Sequence, residues 1–379
     1  MAKVPQSGTL RMLDIAKQME REGREIIHME VGEPDFDTPE HIKRAAREAL
    51  TRGATKYTPS AGIPELREAI AEHLKGKDVP ATAKEVLVTP GAKHAIFCAM
   101  AAALDPGDEV LIPSPCWTYG GIALMFGANP VYIETTQADE FRLKVEKVEK
   151  KLTSKTRMLV LNYPNNPTGA TMIKQHLQTI ADLAVDHEFW VLSDDIYDCL
   201  VYEGEHVSIA SLPNMHERTI YINGFSKAYA MTGWRLGYAV APAEFTQEMI
   251  KVQQASTSCA AAFVQEAGVA AMRGPQKCVG EMREDYRKRR DVIVKGLNSI
   301  EGFKCVKPKG AFYVFPNIEG LGMKSSELCE SFLKAAGVAA VPGSEFGPYG
   351  EGHLRFSYAT SMQNIKKAIE RIATTVERL

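Results

Sequence analysis

A series of short, almost unbroken apolar runs constrains this chain most. They lie at residues 86–88, 109–112, 130–133, 158–161, 189–192 and 219–222. None alternates apolar with polar, as a half-exposed strand would. Continuous runs of this length suit strands buried on both faces, the habit of a parallel sheet. Helical stretches separate several of them, such as 92–104 after the Pro90-Gly91 turn and 173–185. Strands alternating with crossover helices predict an α/β domain.

The C-terminal part reads differently. Val279, Met282, Tyr286, Ile293 and Leu297 recur at helical spacing in a long charged segment. Met362, Ile365, Ile369, Ile372, Val376 and Leu379 do so behind Ser361, a good N-cap. Short strand candidates at 311–315 and 353–358 lie between them. A smaller α+β domain is expected, joined by an N-terminal helix at about 10–22. At ~150 residues per domain, 379 residues favour two units. The expected division is 40–280 for the large domain, with 1–39 and 281–379 forming the small one.

A formal net charge of −2 gives no basic field for nucleic acid or an acidic membrane. The seven cysteines are scattered with no C-x-x-C pair, so neither a disulfide framework nor a metal site is expected, and a cytoplasmic location fits. The opening MAKVPQSGTL lacks the apolar stretch of a leader. The longest apolar run, 95–104, falls far short of the ~20 residues that span a bilayer.

Position carries the functional signal. Four apolar runs end in polar clusters: Thr89-Pro90-Gly91-Ala92-Lys93, Asn162 through Gly169, Ser193-Asp194-Asp195-Ile196-Tyr197, and Asn223-Gly224-Phe225-Ser226-Lys227. Open α/β sheets bind ligands outside the carboxyl ends of their strands. Any one cluster alone could be a polar strand end facing water. Together they offer an amine, a carboxylate, an amide, a phenol and a helix N-terminus. That set suits a cofactor with a cationic ring nitrogen, an aldehyde, a phenolic oxygen and a phosphate.

At these residues the chain resembles a family. NGFSKAYAMTGWRLGYAVAP at 223–242 is similar to the lysine region of class I and II aminotransferases, in the aspartate-aminotransferase superfamily of fold type I. VGEPDFDTP at 31–39, KYTPSAGIPELREAI at 56–70, NNPTG at 165–169, SDDIY at 193–197 and LRFSYAT at 354–360 follow in family order. The resemblance implies a large domain built on a mostly parallel seven-stranded sheet, a smaller α+β domain, and pyridoxal 5′-phosphate as cofactor.

It also implies roles. Lys227 would hold the cofactor as a Schiff base and shuttle a proton. Asp194 would pair with the pyridine nitrogen and keep it cationic. Asp195 competes for that role, but the step from Asp194 to Tyr197 matches the family pattern. Tyr197 and Asn166 would bond the phenolic oxygen. Backbone N–H groups of the Gly91-Ala92-Lys93 helix start, with Ser226 and Arg235, would hold the phosphate. Gly224 stands where many members carry a serine, which puts one phosphate contact in doubt. Trp117 would stack on the ring. Tyr57 would reach the phosphate of a neighbouring subunit, which requires a homodimer with a shared active site. Arg355 would clamp the substrate α-carboxylate with a planar fork that lysine cannot reproduce, beside Gly32 and Asn166.

Ser331-Phe332-Leu333-Lys334 matches S-x-x-K, but no S-D-N or K-T-G partner follows. A DNA-binding regulator on the same fold would carry an added winged-helix region. The expected activity is amino-group transfer from an L-amino acid to a 2-oxo acid such as 2-oxoglutarate by a ping-pong cycle, with small-molecule substrates only. Aspartate is favoured over aromatic donors, although no second cation for its distal carboxylate is identifiable. The competing activity is a C–S β-lyase on the same fold.

Overall fold

The computed structural model describes residues 8–379. Residues 1–7, part of the segment read as lacking a leader, lie outside the described residues. The strands are β1 Ile27–His28, β2 Val86–Thr89, β3 Glu109–Ser114, β4 Asn129–Glu134, β5 Thr156–Leu161, β6 Trp190–Asp194, β7 Thr219–Gly224, β8 Gly237–Val240, β9 Tyr313–Val314, β10 Val338–Ala339, β11 Val341–Pro342 and β12 Leu354–Ser357.

Seven of these form one sheet in the order β2-β8-β7-β6-β5-β3-β4. Its two faces are both buried, as the unbroken apolar runs require. Val110 and Ile112 of β3, with Met158 and Val160 of β5, face one apolar cluster. Leu111, Leu159 and Leu161 face another. Neighbours along a strand point to opposite faces, so a strand covered on both sides must be apolar at every position.

Strand β8 has no counterpart among the expected strands. Its four residues lie within the lysine segment 223–242, after a turn at 232–235. It pairs antiparallel with both β7 and β2. The two reversals cancel, so β2 runs in the same direction as the parallel strands. The carboxyl ends of β2, β5, β6 and β7 therefore open on one edge, and each leads into one of the polar clusters. Gly224 faces Gly237 across β7 and β8. A Cβ at 224 would lie 3.0 Å from both the Gly237 Cα and the Leu236 carbonyl oxygen. Any side chain at 224 would therefore press on the β8 backbone.

A separate apolar cluster joins Met12, Ala16 and Met19 of the N-terminal helix Gly8–Arg21 to the C-terminal elements. It holds Met282, Tyr286, Ile293 and Leu297 of the helix Lys277–Leu297, and Ile365 and Ile372 of the helix Met362–Val376. That last helix is capped by the Ser361 hydroxyl, which accepts from the Asn364 N–H at 3.1 Å. Here β11, β12 and β9 form an antiparallel sheet, and β1 pairs parallel with β10. Ile196, Tyr197 and Leu200, just beyond β6, insert into this cluster. Ser331 and Lys334 lie on helical turns, and Lys334 bonds Glu330 one turn back at 3.0 Å.

Candidate active site

At the tip of β6, Asp194 is buried, and its carboxylate accepts from the Tyr119 hydroxyl at 2.6 Å and from the Ile196 N–H at 3.3 Å. Burial pushes its carboxyl up to about 6, against the lowering effect of those two hydrogen bonds. Asp195 turns the other way. Its carboxylate accepts from Ser193 at 2.6 Å and lies 3.0 Å from His206 Nε2. The two neighbouring carboxylates thus have different partners, Tyr119 and the Ile196 N–H for Asp194, Ser193 and His206 for Asp195.

Lys227 follows β7, and its ammonium donates to the Gly32 carbonyl oxygen. It lies 5.9 Å from the Tyr197 ring centroid and 5.7 Å from that of Phe312. Burial lowers its pKa to about 8, helped by Arg355 and Arg235 and opposed by Glu33. A lysine amine near neutrality is what attack on an aldehyde needs.

Asn162 couples the ends of β5 and β6. Its amide donates to the Asp194 carbonyl at 3.0 Å, and its Oδ1 accepts from the Asn166 N–H at 3.0 Å. Asn166, held in this way, accepts from Arg355 Nη1 at 3.1 Å. Arg355, on β12, is 2% exposed. Its second terminal nitrogen donates to the Glu30 carbonyl, and its Nε is buried without a partner. The guanidinium stacks 4.7 Å from the Tyr313 ring and 5.0 Å from that of Phe346. Gly32 approaches the same tyrosine: a Cβ there would lie 2.1 Å from the Tyr313 hydroxyl.

Gly91 is the N-cap of the helix Ala92–Ala103, with φ of 86° and no side-chain cap. The Ala92 and Lys93 N–H groups belong to the first turn, where no helical acceptor exists. Gly237 lies so close that a Cβ on it would sit 2.3 Å from the Ala92 nitrogen. Arg235, itself at φ of 55°, brings a guanidinium nitrogen to 2.5 Å from where a Gly91 Cβ would be. Free N–H groups, a guanidinium and space that side chains would fill make an anion cradle. Buried Ser226 follows on the turn after β7. Trp117 lies edge-on to Tyr119 at 5.3 Å, with the Lys93 ammonium 4.7 Å from its ring.

Tyr57 alone stands apart from the expected residues. It is 90% exposed, and among the described residues no hydrogen bond or ring contact ties it to the others. Conversely, Tyr119, Glu30 and Tyr313 touch the site without having been singled out, and Asn162, named only as part of a strand-end cluster, links two of its strands. Tyr119 follows Trp117 by two residues, and Tyr313 lies inside an apolar run that reads as core.

These residues fit pyridoxal phosphate on three observations. The cradle at Gly91 is space a Cβ would fill. Asp194 is a buried carboxylate whose pKa is raised by burial, with a hydroxyl and a backbone N–H as its hydrogen-bond donors. Arg355 keeps one buried donor unpartnered, as a group awaiting a carboxylate would.

The profile of the family described as aminotransferase class I and II matches residues 24–372. An aspartate aminotransferase of Pyrococcus abyssi is 46% identical, over 96% of this chain and 93% of the relative. Aromatic-amino-acid aminotransferase 2 of Thermococcus litoralis is 45% identical over the same shares. The solved structure of Thermus thermophilus aspartate aminotransferase with maleate superposes with a TM-score of 0.94 at 43% identity, covering 98% of this chain and 97% of that one.

Proposed function

Because the chain belongs to the class I and II aminotransferases and depends on pyridoxal phosphate, we propose that it moves the amino group of L-aspartate to 2-oxoglutarate. The observation that carries the substrate reading is a second cation left for the substrate beside Arg355, once Lys227 and Arg235 are committed to the cofactor. Arg355 has its unpartnered donor, and the Lys93 ammonium stands over Trp117. A dicarboxylate has one anionic group for each. The names of relatives support both aspartate and aromatic donors; the second cation favours aspartate.

When bound, the cofactor supplies an electron-withdrawing ring that stabilises negative charge at the substrate Cα. The protein does the rest. Asp194 would pair with the ring nitrogen and keep it protonated. Tyr197 and Asn166 would bond the ring's phenolic oxygen. The Ala92 and Lys93 N–H groups, Ser226 and Arg235 would hold the phosphate, with Gly91 leaving room. Trp117 would stack on the ring. Arg355 orients the α-carboxylate beside Gly32 and Asn166. Lys227 holds a proton at Nζ and moves it to and from the substrate Cα.

Tyr57, exposed in a single copy, completes the phosphate site of a second copy in a homodimer. The large domain spans 40–280, and 1–39 with 281–379 form the small one. The separate apolar cluster of the C-terminal elements supports that division. A cytoplasmic location agrees with seven free cysteines. Among the described residues no helix is long and apolar enough to cross a membrane.

Purified holoenzyme given L-aspartate alone should release oxaloacetate once per site, and 2-oxoglutarate added afterwards should yield glutamate. Release of ammonia and pyruvate from thioether amino acids, without such transfer, would identify the β-lyase instead. Lys93→Met should lower kcat/KM for aspartate about 10-fold, the value of a charged hydrogen bond of ~1.5 kcal/mol, and leave phenylalanine nearly unchanged. Equal losses for both substrates would return Lys93 to a phosphate role only. Sedimentation should give a dimer.

A further inference from the structure

Tyr313 meets three of the expected site residues from a strand of the small sheet. It is buried on β9, beside the strand that carries Arg355. Its hydroxyl lies 2.8 Å from the Tyr197 hydroxyl. Its ring lies 4.7 Å from the Arg355 guanidinium. The same hydroxyl fills the space that any side chain at Gly32 would need, 2.1 Å from a Cβ there.

Each phenol has one proton, and this fixes the direction of the Tyr197–Tyr313 bond. The reading above commits the Tyr197 proton to the cofactor's phenolic oxygen. Tyr197 can then only accept from Tyr313. Burial raises both phenols above their ordinary value, so both keep their protons at working pH. The nearby Arg355 charge works against burial at both phenols. A hydroxyl that accepts a hydrogen bond becomes a stronger donor itself.

We infer that Tyr313 is a positioning residue with two separable parts: its hydroxyl fixes and strengthens Tyr197 as donor to the cofactor, and its ring seats the Arg355 guanidinium. The inference rests on the proposed roles of Tyr197 and Arg355. It concerns how those groups are held, not which groups touch the cofactor.

The test separates the parts by spectroscopy and binding. A donor on the phenolic oxygen stabilises its negative charge and weakens its hold on the proton of the Lys227 nitrogen. Losing that donor raises the pH at which the cofactor band titrates. Tyr197→Phe should raise the midpoint by about one unit. Tyr313→Phe should raise it by about half as much and leave maleate affinity within about 2-fold. Tyr313→Leu should shift the band similarly and also weaken maleate about 10-fold, as loss of a buried cation–π contact predicts. In the double variant, Tyr313→Phe should add nothing to Tyr197→Phe. Fluorotyrosine at 313, a stronger donor of nearly the same shape, should lower the midpoint; it keeps the test open if the phenylalanine variant does not fold. A shift with Tyr197→Phe but none with either change at 313, or shifts that simply add, overturns the inference and leaves the proposed role of Tyr197 standing. No shift with Tyr197→Phe removes that role, and the inference with it.

Discussion

The two halves of the site are built by different means. On the large-sheet side, Asp194, Asn166 and Lys227 sit at or just beyond the ends of β6, β5 and β7. Backbone pairing fixes where each begins, and short side-chain bonds such as Asn162 to the Asp194 carbonyl lock one strand end to the next. On the other side, Arg355, Tyr313, Gly32 and Glu30 come from distant parts of the chain. They are placed by carbonyl contacts and ring stacking across the segment 29–33. The first region can be damaged one group at a time. The second is a set of mutual supports, in which removing one member should disturb the others.

The largest break belongs to the first region. Lys227→Ala should cut kcat by at least about 10⁴-fold, the upper range for a positioned acid–base group. Borohydride reduction of the wild type followed by peptide mapping should put the cofactor on Lys227, and label on another lysine refutes the assignment. Arg355→Lys probes the second region. It keeps the charge but loses the planar fork bonded to Asn166 and Glu30. A drop of about 100-fold in kcat/KM, or ~2.7 kcal/mol, is expected, mostly as a higher KM. A change confined to kcat would mean that Arg355 does not bind the substrate carboxylate.

Much of the first region was legible in the sequence, because strand ends are. An unbroken apolar run followed by a polar cluster locates a side chain to within a residue or two. The pairing rule for parallel sheets then brings the clusters to one edge. The second region was legible only where a motif resembled a family. Tyr313 lies among Phe312, Val314 and Phe315, and nothing in that run distinguishes a working phenol from a core ring. Tyr119 was hidden for a related reason: its partner Asp194 is 75 residues away, and only the fold reveals the bond. Strand β8 escaped because four residues inside the lysine segment are too few to leave a periodic trace.

Tyr119→Phe sharpens the comparison within the first region. The Tyr119 hydroxyl lowers the Asp194 pKa, while burial raises it to about 6. Removing the donor should raise it further. In the proposed mechanism Asp194 acts as the ionised carboxylate, so the acidic limb of the kcat/KM profile should move to higher pH by about half to one unit, with little change above pH 8. An acidic limb that stays put would assign it to another group.

The smallest effect tests the one residue that senses both regions. In its proposed role Lys227 takes up the cofactor as the neutral amine, so the uptake rate of the apoenzyme should rise with pH through about 8. Arg235 and Asp194 act on Lys227 from the first region, Arg355 and Glu33 from the second. Glu33 is exposed and accepts from Thr232 at 3.1 Å, so water screens its charge. Glu33 favours the ammonium form; Glu33→Gln therefore lowers the lysine pKa and moves the uptake midpoint down, by a few tenths of a unit. The opposite charge change, Arg235→Gln, should move it up. Because these shifts are electrostatic, both should shrink as salt rises from 0.05 to 0.5 M, where the screening length falls to roughly 4 Å. Shifts in the same direction for both variants, or shifts indifferent to salt, would mean that a structural change and not charge sets the lysine.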